Sequence, residues 1–302
     1  MCPSADIPAL QSATAPSSLA ALVSGLRVRQ WAKNLLLFAG LLFAAKLGDG
    51  SRWVEAGAAF VAYCLASSAA YLFNDVRDVQ EDRLHPAKSR RPIASGSLSP
   101  SVALSTAASL LAVAVAITAV LGVGSLGFLI GFAALQLAYS LVLKRLAFVD
   151  ALAIAGLFVL RAAAGAEAVS VRISVWLLVC TALLALFLAL AKRRAELLLV
   201  QTNATPGRTA LSAYSSQLLN RLVLAAAVSA TVAYSVYAFT THDSFELATT
   251  IPFVAFAIAR YVHLVVRDGV GEEPERVLLG DVPILAAAAA WALTCGLTLS
   301  LS

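Results

Sequence analysis

Charge is scarce in this sequence: Asp, Glu, Lys and Arg make up 13% of its 302 residues, against about 25% in soluble domains. Apolar residues make up 60%, and the mean hydropathy is +0.85. These values exclude an ordinary soluble domain and favour a chain surrounded by hydrocarbon. The net charge of +5 is distributed over loops, with no platform of interleaved aromatic and basic residues, so we expect no nucleic-acid partner.

Other common signals are also missing. The four cysteines form no CxxC pair, so neither a disulfide framework nor a zinc site is predicted. Lys and Arg are absent from Met1 to Ala20, which therefore lacks the charged start of a signal peptide and is predicted to be mobile. We predict a mobile tail over residues 1–26 and a single transmembrane catalytic domain over residues 27–302.

Apolar runs long enough to cross a bilayer recur along the rest of the chain. They predict an all-α, polytopic membrane bundle of about nine transmembrane helices. The predicted spans are 31–47, 53–73, 101–121, 123–142, 147–167, 173–191, 218–240, 248–266 and 282–301.

Basic residues are unevenly distributed between the two sides of these spans. Lys46, Arg52 and Arg172 are the only basic residues between spans on one side, and the others lie on the opposite side. The positive-inside rule makes that side cytoplasmic, so we predict a multi-pass protein of the cell membrane. Most acidic residues share this side, which topology does not require. Mixed charges there predict a polar cavity open to the cytoplasm.

The most informative acidic residues follow the second span. On a helix, Asp75, Asp78 and Asp82 fall within roughly 60° of one another, with Asn74 beside them. Carboxylate oxygens suit Mg²⁺, which also bridges to substrate phosphates. We therefore predict a Mg²⁺ site held by these three aspartates.

The chain continues with His85-Pro86, Lys88, Arg90-Arg91-Pro92 and Gly96. Together with the aspartates, these residues resemble the first aspartate-rich signature of the UbiA-type membrane prenyltransferase superfamily. Arg and Lys side chains here would donate to phosphate oxygens. In the alternative interpretation, the acidic and basic residues only pair with each other in a solvated loop.

Further segments are similar to the decaprenyl-phosphate phosphoribosyltransferases of that superfamily: 29–34, 139–144, 192–197 and stretches of 252–281. The resemblance runs from about Arg27 to the C-terminus. Ordinary members carry a second DxxxD-type motif near the sixth and seventh spans, where this chain has Lys192, Arg193, Arg194 and only Glu196. One acidic motif facing a basic one suits two separate phosphate-bearing substrates.

The resemblance implies Mg²⁺-dependent transfer of 5-phosphoribose from phosphoribosyl diphosphate to a polyprenyl phosphate such as decaprenyl phosphate. Diphosphate would be released, and the product would serve cell-wall arabinan precursor synthesis. Its implied catalytic residues are Asp75, Asp78, Asp82, Lys192 and Glu196. The predicted substrate-binding residues are Lys33, Asn74, Lys88, Arg90, Arg91, Tyr139, Lys144, Arg161 and Arg193.

Several alternatives stay open at this point. Arg161, near the middle of the fifth span, is predicted to face the site because an intramembrane cation is costly elsewhere, but it could instead pair two helices. Lys192, Arg193 and Arg194 could be interfacial anchors. The chain could be a prenyltransferase that moves a polyprenyl group from its diphosphate to an aromatic or other acceptor, or a transporter of a phosphorylated solute. A homo-oligomer is also left open.

Overall fold

A computed structural model of the chain describes residues 18–43, 48–85, 88–203, 209–240, 245–267, 269, 271 and 274–301, and within them every regular element is a helix. The α-helices are α1 (Ser18–Leu26), α2 (Ala39–Phe43), α3 (Gly50–Arg77), α4 (Val79–Leu84), α5 (Pro100–Leu121), α6 (Val123–Leu141), α7 (Val149–Ala168), α8 (Val175–Asn203), α9 (Ser216–Thr240), α10 (Ile251–Arg267), α11 (Pro274–Gly280) and α12 (Val282–Leu301). The 3₁₀ helices are Val28–Phe38, Lys88–Arg90, Leu143–Arg145, Thr209–Ala213 and Phe245–Thr250.

Seven helices within the described residues are long and apolar enough to cross a membrane. They correspond to the second through eighth predicted spans. The last predicted span is α12, whose apolar described part, Val282–Thr298, is shorter. In place of the first predicted span the structure has the 3₁₀ helix Val28–Phe38 followed by α2, and residues 44–47 lie outside the described part. The all-helical membrane bundle is confirmed, and the count of nine spans stays a prediction.

Local chemistry explains where several spans begin. Asp49 caps α3 by accepting a hydrogen bond from the Ser51 backbone N–H at 3.0 Å, and Ser99 caps α5, with Pro100 at the first helical position. Gly122 has a φ of 127°, a conformation that L side chains rarely adopt, and it separates α5 from α6 without a longer loop. This short connection at Gly122 places α5 and α6 side by side.

The centre of the bundle is built on α3 and α7. In the apolar stretch of each of these helices, 56% and 61% of the residues are buried, against 11% in α5. Small residues allow this close packing. A Cβ on Gly165 of α7 would lie 2.1 Å from the Leu37 carbonyl oxygen, and one on Gly40 would lie 2.7 Å from Ala166 Cα. The backbone of residues 37–40 therefore lies directly against α7.

The N-terminal end of the described chain also packs on the bundle. Residues 18–26, which we expected within the tail, form α1, and Ala21 is buried in a cluster with Leu72 and Leu98. Residues 1–17 lie outside the described part. The division into a tail and one catalytic domain stays a prediction.

Candidate active site

The predicted acidic motif lies where α3 ends and α4 begins. Asp75, in the last turn of α3, and Asp82, on α4, are 2% and 4% exposed. Arg91 Nη1 lies 3.2 Å from Asp75 Oδ1 and 2.6 Å from Asp82 Oδ2, so one nitrogen contacts both carboxylates. We call Asp75, Asp78 and Asp82 the acidic cluster.

Asp78 points to a different partner. α3 ends at Arg77, and Asp78 occupies the turn before α4, so the single continuous helix face that the spacing predicted is interrupted. Lys144 Nζ, on the 3₁₀ helix Leu143–Arg145, lies 2.6 Å from both oxygens of Asp78 and donates to Asn74 Oδ1 at 3.2 Å. Asn74, Asp78 and Lys144, three residues of the predicted site, are therefore in direct contact, and their roles stay predictions.

The donor set agrees in part with Mg²⁺. Two carboxylate oxygens, from Asp75 and Asp82, converge on one cationic atom, and one or two carboxylates with substrate phosphates make a common Mg²⁺ site. No group of three or more potential ligand side chains is assembled within the described residues. Asp75 and Asp82 fit a shared ion, whereas Asp78 as a third ligand stays a prediction.

Arg27 is a site residue that sequence reasoning left out of the predicted set. Its Nη2 donates to Asp75 Oδ1 at 2.5 Å, and its guanidinium lies 5.1 Å from the centre of the Tyr71 ring. Arg27 precedes the 3₁₀ helix Val28–Phe38 and has a left-handed φ of 53°. The only signal was its position at the start of the resemblance.

The loop after α4 positions Arg91. Arg83 Nε donates to the Ala94 carbonyl at 3.2 Å, and the Leu98 N–H donates to the Pro92 carbonyl at 2.9 Å. Ile93 and Leu98 are buried beneath this loop. The loop is therefore anchored at both its polar and its apolar side chains.

The other predicted cations of this region are less enclosed. Lys88 is half-buried and Arg90 is exposed, both on the short 3₁₀ helix Lys88–Arg90. Lys33 is half-buried and donates to Gln30 Oε1. Tyr139 is half-buried near the end of α6. These residues lie on the chain segments that border the acidic cluster, and their binding roles stay predictions.

The second predicted motif lies within α8, which continues beyond it to Asn203, and it is enclosed. Arg193 is 1% exposed, with Nε 3.0 Å from Asp150 Oδ2 and Nη1 paired with Glu196. Tyr214 donates to Asp150 Oδ1 at 3.3 Å and accepts from the Phe148 N–H at 2.6 Å. Burial raises the pKa of Tyr214, so its hydroxyl stays protonated at neutral pH. We call Asp150, Arg193, Glu196 and Tyr214 the buried cluster.

Two further arginines, Arg194 and Arg161, donate hydrogen bonds to groups of neighbouring helices. Arg194 donates to the carbonyls of Val265 and Val266 at the end of α10 and to Asn220 Oδ1 at 2.5 Å. It joins α8, α9 and α10 and is 7% exposed, which does not match an interfacial anchor.

Arg161 is 4% exposed and, among the described residues, forms no ion pair. Its Nε donates to Asn34 Oδ1 at 2.7 Å and its Nη1 to the Leu157 carbonyl at 3.2 Å. Its guanidinium lies 4.6 Å from the centre of the Phe132 ring. Asp150, in the first turn of the same helix, pairs with Arg193.

An apolar cavity of about 600 Å³ lies between the 3₁₀ helix Val28–Phe38, α8, α9, α10 and α12. Its wall includes Leu184 and Leu35, which are 43% and 57% exposed, so the cavity reaches the outer surface of the bundle. Leu184 and Leu188 line it one helical turn apart, and Lys192 is the next residue of that stripe.

A second lysine follows the cavity wall along the 3₁₀ helix Val28–Phe38, although neither lysine lines the cavity itself. With three residues per turn, Lys33 lies on one line with Leu36 and Ala39, which both line the wall. Lys33 and Lys192 are thus each one turn beyond a cavity-lining residue. An apolar chain in the cavity could place an anionic head near two ammonium groups.

The chain is similar to known proteins over most of its length. Residues 35–279 match the UbiA prenyltransferase family. The chain is 36% identical over 292 residues to a decaprenyl-phosphate phosphoribosyltransferase of Mycolicibacterium smegmatis, covering 91% of each protein. It is 34% identical to the protein of the same name from Corynebacterium glutamicum, covering 91% of this chain and 86% of the relative.

A solved structure of a UbiA homologue from Archaeoglobus fulgidus bound to GPP and Mg²⁺ has the same fold, with a TM-score of 0.73 at 16% identity. The match covers 93% of this chain and 99% of that one. The predicted resemblance is confirmed, as is the prediction of a membrane-embedded transferase. On these grounds the chain belongs to the UbiA prenyltransferase family.

Proposed function

We propose that this protein transfers 5-phosphoribose from phosphoribosyl diphosphate to a polyprenyl phosphate, with decaprenyl phosphate as the first candidate. The observation that carries the proposal is the apolar cavity whose lining stripes continue into Lys33 and Lys192. A lipid whose head is a phosphate matches an apolar wall that leads to two ammonium groups. The curated names of the relatives support the same pair of substrates.

The donor would bind at the acidic cluster. Arg27, Arg91 and Lys144 are held there by carboxylates, and each can donate to phosphate oxygens instead. Asp75 and Asp82 would hold Mg²⁺, which when bound neutralises the negative charge that grows on the leaving diphosphate. Asp78 is proposed as a further ligand. Lys88 and Arg90 are proposed to contact phosphate from the loop.

The acceptor would lie with its isoprenoid chain in the cavity and its phosphate between Lys33 and Lys192. One phosphate oxygen attacks ribose C1, a new C1–O bond forms, and the bond from C1 to the diphosphate oxygen breaks with its electron pair leaving on diphosphate. The acceptor is already an anion and needs no general base. The work of the protein is then to bring two anions together and to screen their repulsion.

The active site is proposed to face the cytoplasm, and the concentration of basic residues in the loops on that side supports this orientation. The product would supply phosphoribose to cell-wall arabinan precursors. A homo-oligomer stays a separate possibility on which the reaction does not depend.

The test uses the full-length protein, purified in detergent, with labelled phosphoribosyl diphosphate, Mg²⁺ and polyprenyl phosphates of different lengths. We expect a labelled lipid and one equivalent of diphosphate, both lost when Mg²⁺ is chelated. A parallel reaction with a polyprenyl diphosphate and an aromatic acceptor tests ordinary prenyl transfer. Product in the second reaction and none in the first would replace this proposal with the prenyltransferase alternative.

A further inference from the structure

The 3₁₀ helix Val28–Phe38 is unusual for its length. It has 11 residues, whereas 3₁₀ runs longer than about four are uncommon because their hydrogen bonds are poorly aligned. The segment also begins at Arg27, which has a left-handed backbone conformation. Such a segment needs contacts with its neighbours to keep its form.

Those contacts lie on one face, because residues three apart are eclipsed in a 3₁₀ helix. Trp31 Nε1 donates to Ser68 Oγ at 3.0 Å, and Asn34 Nδ2 contacts Cys64 Sγ at 3.3 Å. Leu37, next on this face, is 0% exposed. Three residues of this helix thus correspond to four residues of α3, running in the opposite direction.

The same ratio holds against α7. Asn34 Oδ1 accepts from Arg161, and three residues later Leu37 lies against Gly165, four residues after Arg161. A 3₁₀ helix rises about 2.0 Å per residue and an α-helix about 1.5 Å, so three residues of one and four of the other both span about 6 Å. The 3₁₀ form therefore keeps the segment in register with two α-helices at once.

An α-helical segment would not keep these three residues in line. Trp31, Asn34 and Leu37 would be rotated by about 60° per step, so Trp31 and Leu37 would point about 120° apart and could not both face the same neighbouring helix. Lys33 would also leave the line of Leu36 and Ala39 at the cavity. The conformation of the segment thus decides where its cations lie.

Asn34 is the residue of this segment that contacts both α3 and α7 through its side chain. Its side chain is 0% exposed and contacts α7 through Oδ1 and α3 through Nδ2. Its donor, Arg161, is a buried cation with no carboxylate partner among the described residues. Burying a guanidinium without a hydrogen-bond acceptor costs free energy. Arg161 therefore depends on the Asn34 oxygen as an acceptor.

We propose that Asn34 and Arg161 are positioning residues that hold the segment 28–38 in its 3₁₀ form and thereby place Arg27 and Lys33 at the two phosphate sites. This inference rests on the proposed function for the identity of those phosphates. The holding of the segment does not depend on it.

The central test is a set of variants: Asn34→Leu, Arg161→Met and the double variant, in the full-length protein in detergent. The double variant removes the buried charge together with its acceptor, so we expect it to melt near the wild-type temperature. Amide hydrogen exchange over residues 28–38 should nevertheless be faster. We expect kcat/KM for both substrates to fall between about tenfold and a hundredfold, the scale of a small misplacement. The double variant should lose no more than Arg161→Met alone.

A matched control removes the other arginine–asparagine pair, through Arg194→Met with Asn220→Leu. That pair joins α8 and α9 and does not touch the 3₁₀ helix. We expect unchanged exchange over residues 28–38, whatever the effect on melting. If the double variant of Asn34 and Arg161 also keeps wild-type exchange and kcat/KM, the pair only fills space and the proposal is wrong.

Conservative variants decide the matter even if the double variant does not fold. Asn34→Asp keeps the acceptor oxygen in place, whereas Asn34→Gln moves it by one methylene. We expect the first to retain slow exchange and kcat/KM and the second to lose both, and equal values would overturn the proposal. If the wild type transfers no phosphoribose, the proposed function fails, and the exchange measurements alone decide whether the pair holds the segment.

Discussion

The acidic cluster and the buried cluster lie at the same end of the bundle. Lys144, just before α7, contacts Asp78 of the acidic cluster, and Asp150, in the first turn of α7, belongs to the buried cluster. The arginines that contact the two clusters differ in access to water. Arg27 and Arg91 have side chains that are 25% and 27% exposed, whereas those of Arg193 and Asp150 are 1% and 0% exposed. A cation near water can exchange a carboxylate for a phosphate at modest cost, and a fully enclosed one cannot. The first cluster is suited to ligand exchange and the second to holding helices.

The largest effect that can test this contrast is on stability. Arg193→Met leaves Asp150 as a buried charge without its partner, and we expect a loss of about 3–5 kcal/mol, measured by thermal unfolding in detergent. Arg193→Met with Asp150→Leu removes both charges and should recover most of the loss. A single variant that melts like the wild type but no longer binds phosphoribosyl diphosphate would return Arg193 to the substrate-binding set.

The converse is expected in the acidic cluster. Asp75→Asn or Asp82→Asn should reduce turnover on the order of 10²–10³, as for other lost charge-stabilising groups, while the melting temperature stays close to that of the wild type. Initial rates across a Mg²⁺ titration measure the effect. Asp49→Asn is the matched control, because Asp49 caps α3 at its other end, where Asn also caps well. Normal turnover in both cluster variants would remove these carboxylates from the site.

Sequence alone indicated that Asp75 and Asp82 lie together, for a physical reason. The spacing of Asp75 and Asp82 places them on one side of the chain, and the structure has both carboxylates contacting Arg91. The spacing could not reveal that the helix breaks at Asp78, because that turn depends on contacts with Lys144, which is far away in the chain. The contact between Arg27 and Asp75 could not be predicted either, because these two residues are also far apart in the chain.

The segment before α3 shows a second limit. Its apolar residues predicted a membrane span over 31–47, but hydropathy does not distinguish a 3₁₀ helix from an α-helix. The choice between them follows from the register with α3 and α7, which only the tertiary structure contains. Likewise, Lys192 to Glu196 were expected to end a span, but α8 continues to Asn203. Their sequence also does not indicate that Arg193 is enclosed by Asp150 from another helix.

A smaller effect tests whether the lysines beyond the cavity behave like the exchangeable cluster. Lys192→Ala should raise KM for the polyprenyl phosphate by about tenfold, the scale of one charge-assisted contact, with little change for phosphoribosyl diphosphate. Lys192→Asp should not restore it. Arg52→Ala is the control, because it removes a cation that pairs with Asp49 and Glu55 at the end of α3 opposite to the acidic cluster. Equal KM values in all variants would make Lys192 an interfacial anchor and would favour the prenyltransferase alternative.

The smallest expected effect lies at the edge of the buried cluster. Tyr214→Phe keeps the ring, whose centre lies 4.8 Å from that of Phe148, but removes the hydroxyl that joins the Phe148 N–H to Asp150. We expect a loss of about 1 kcal/mol in stability and unchanged kcat/KM. Because burial raises the pKa of Tyr214 above its ordinary value of about 10, the hydroxyl is protonated throughout the neutral range, and the loss should be the same at about pH 6 and pH 8. Thermal unfolding at both pH values measures it. A variant that keeps its stability but loses turnover would mean that the buried cluster takes part in the reaction, and the contrast between the two clusters would not hold.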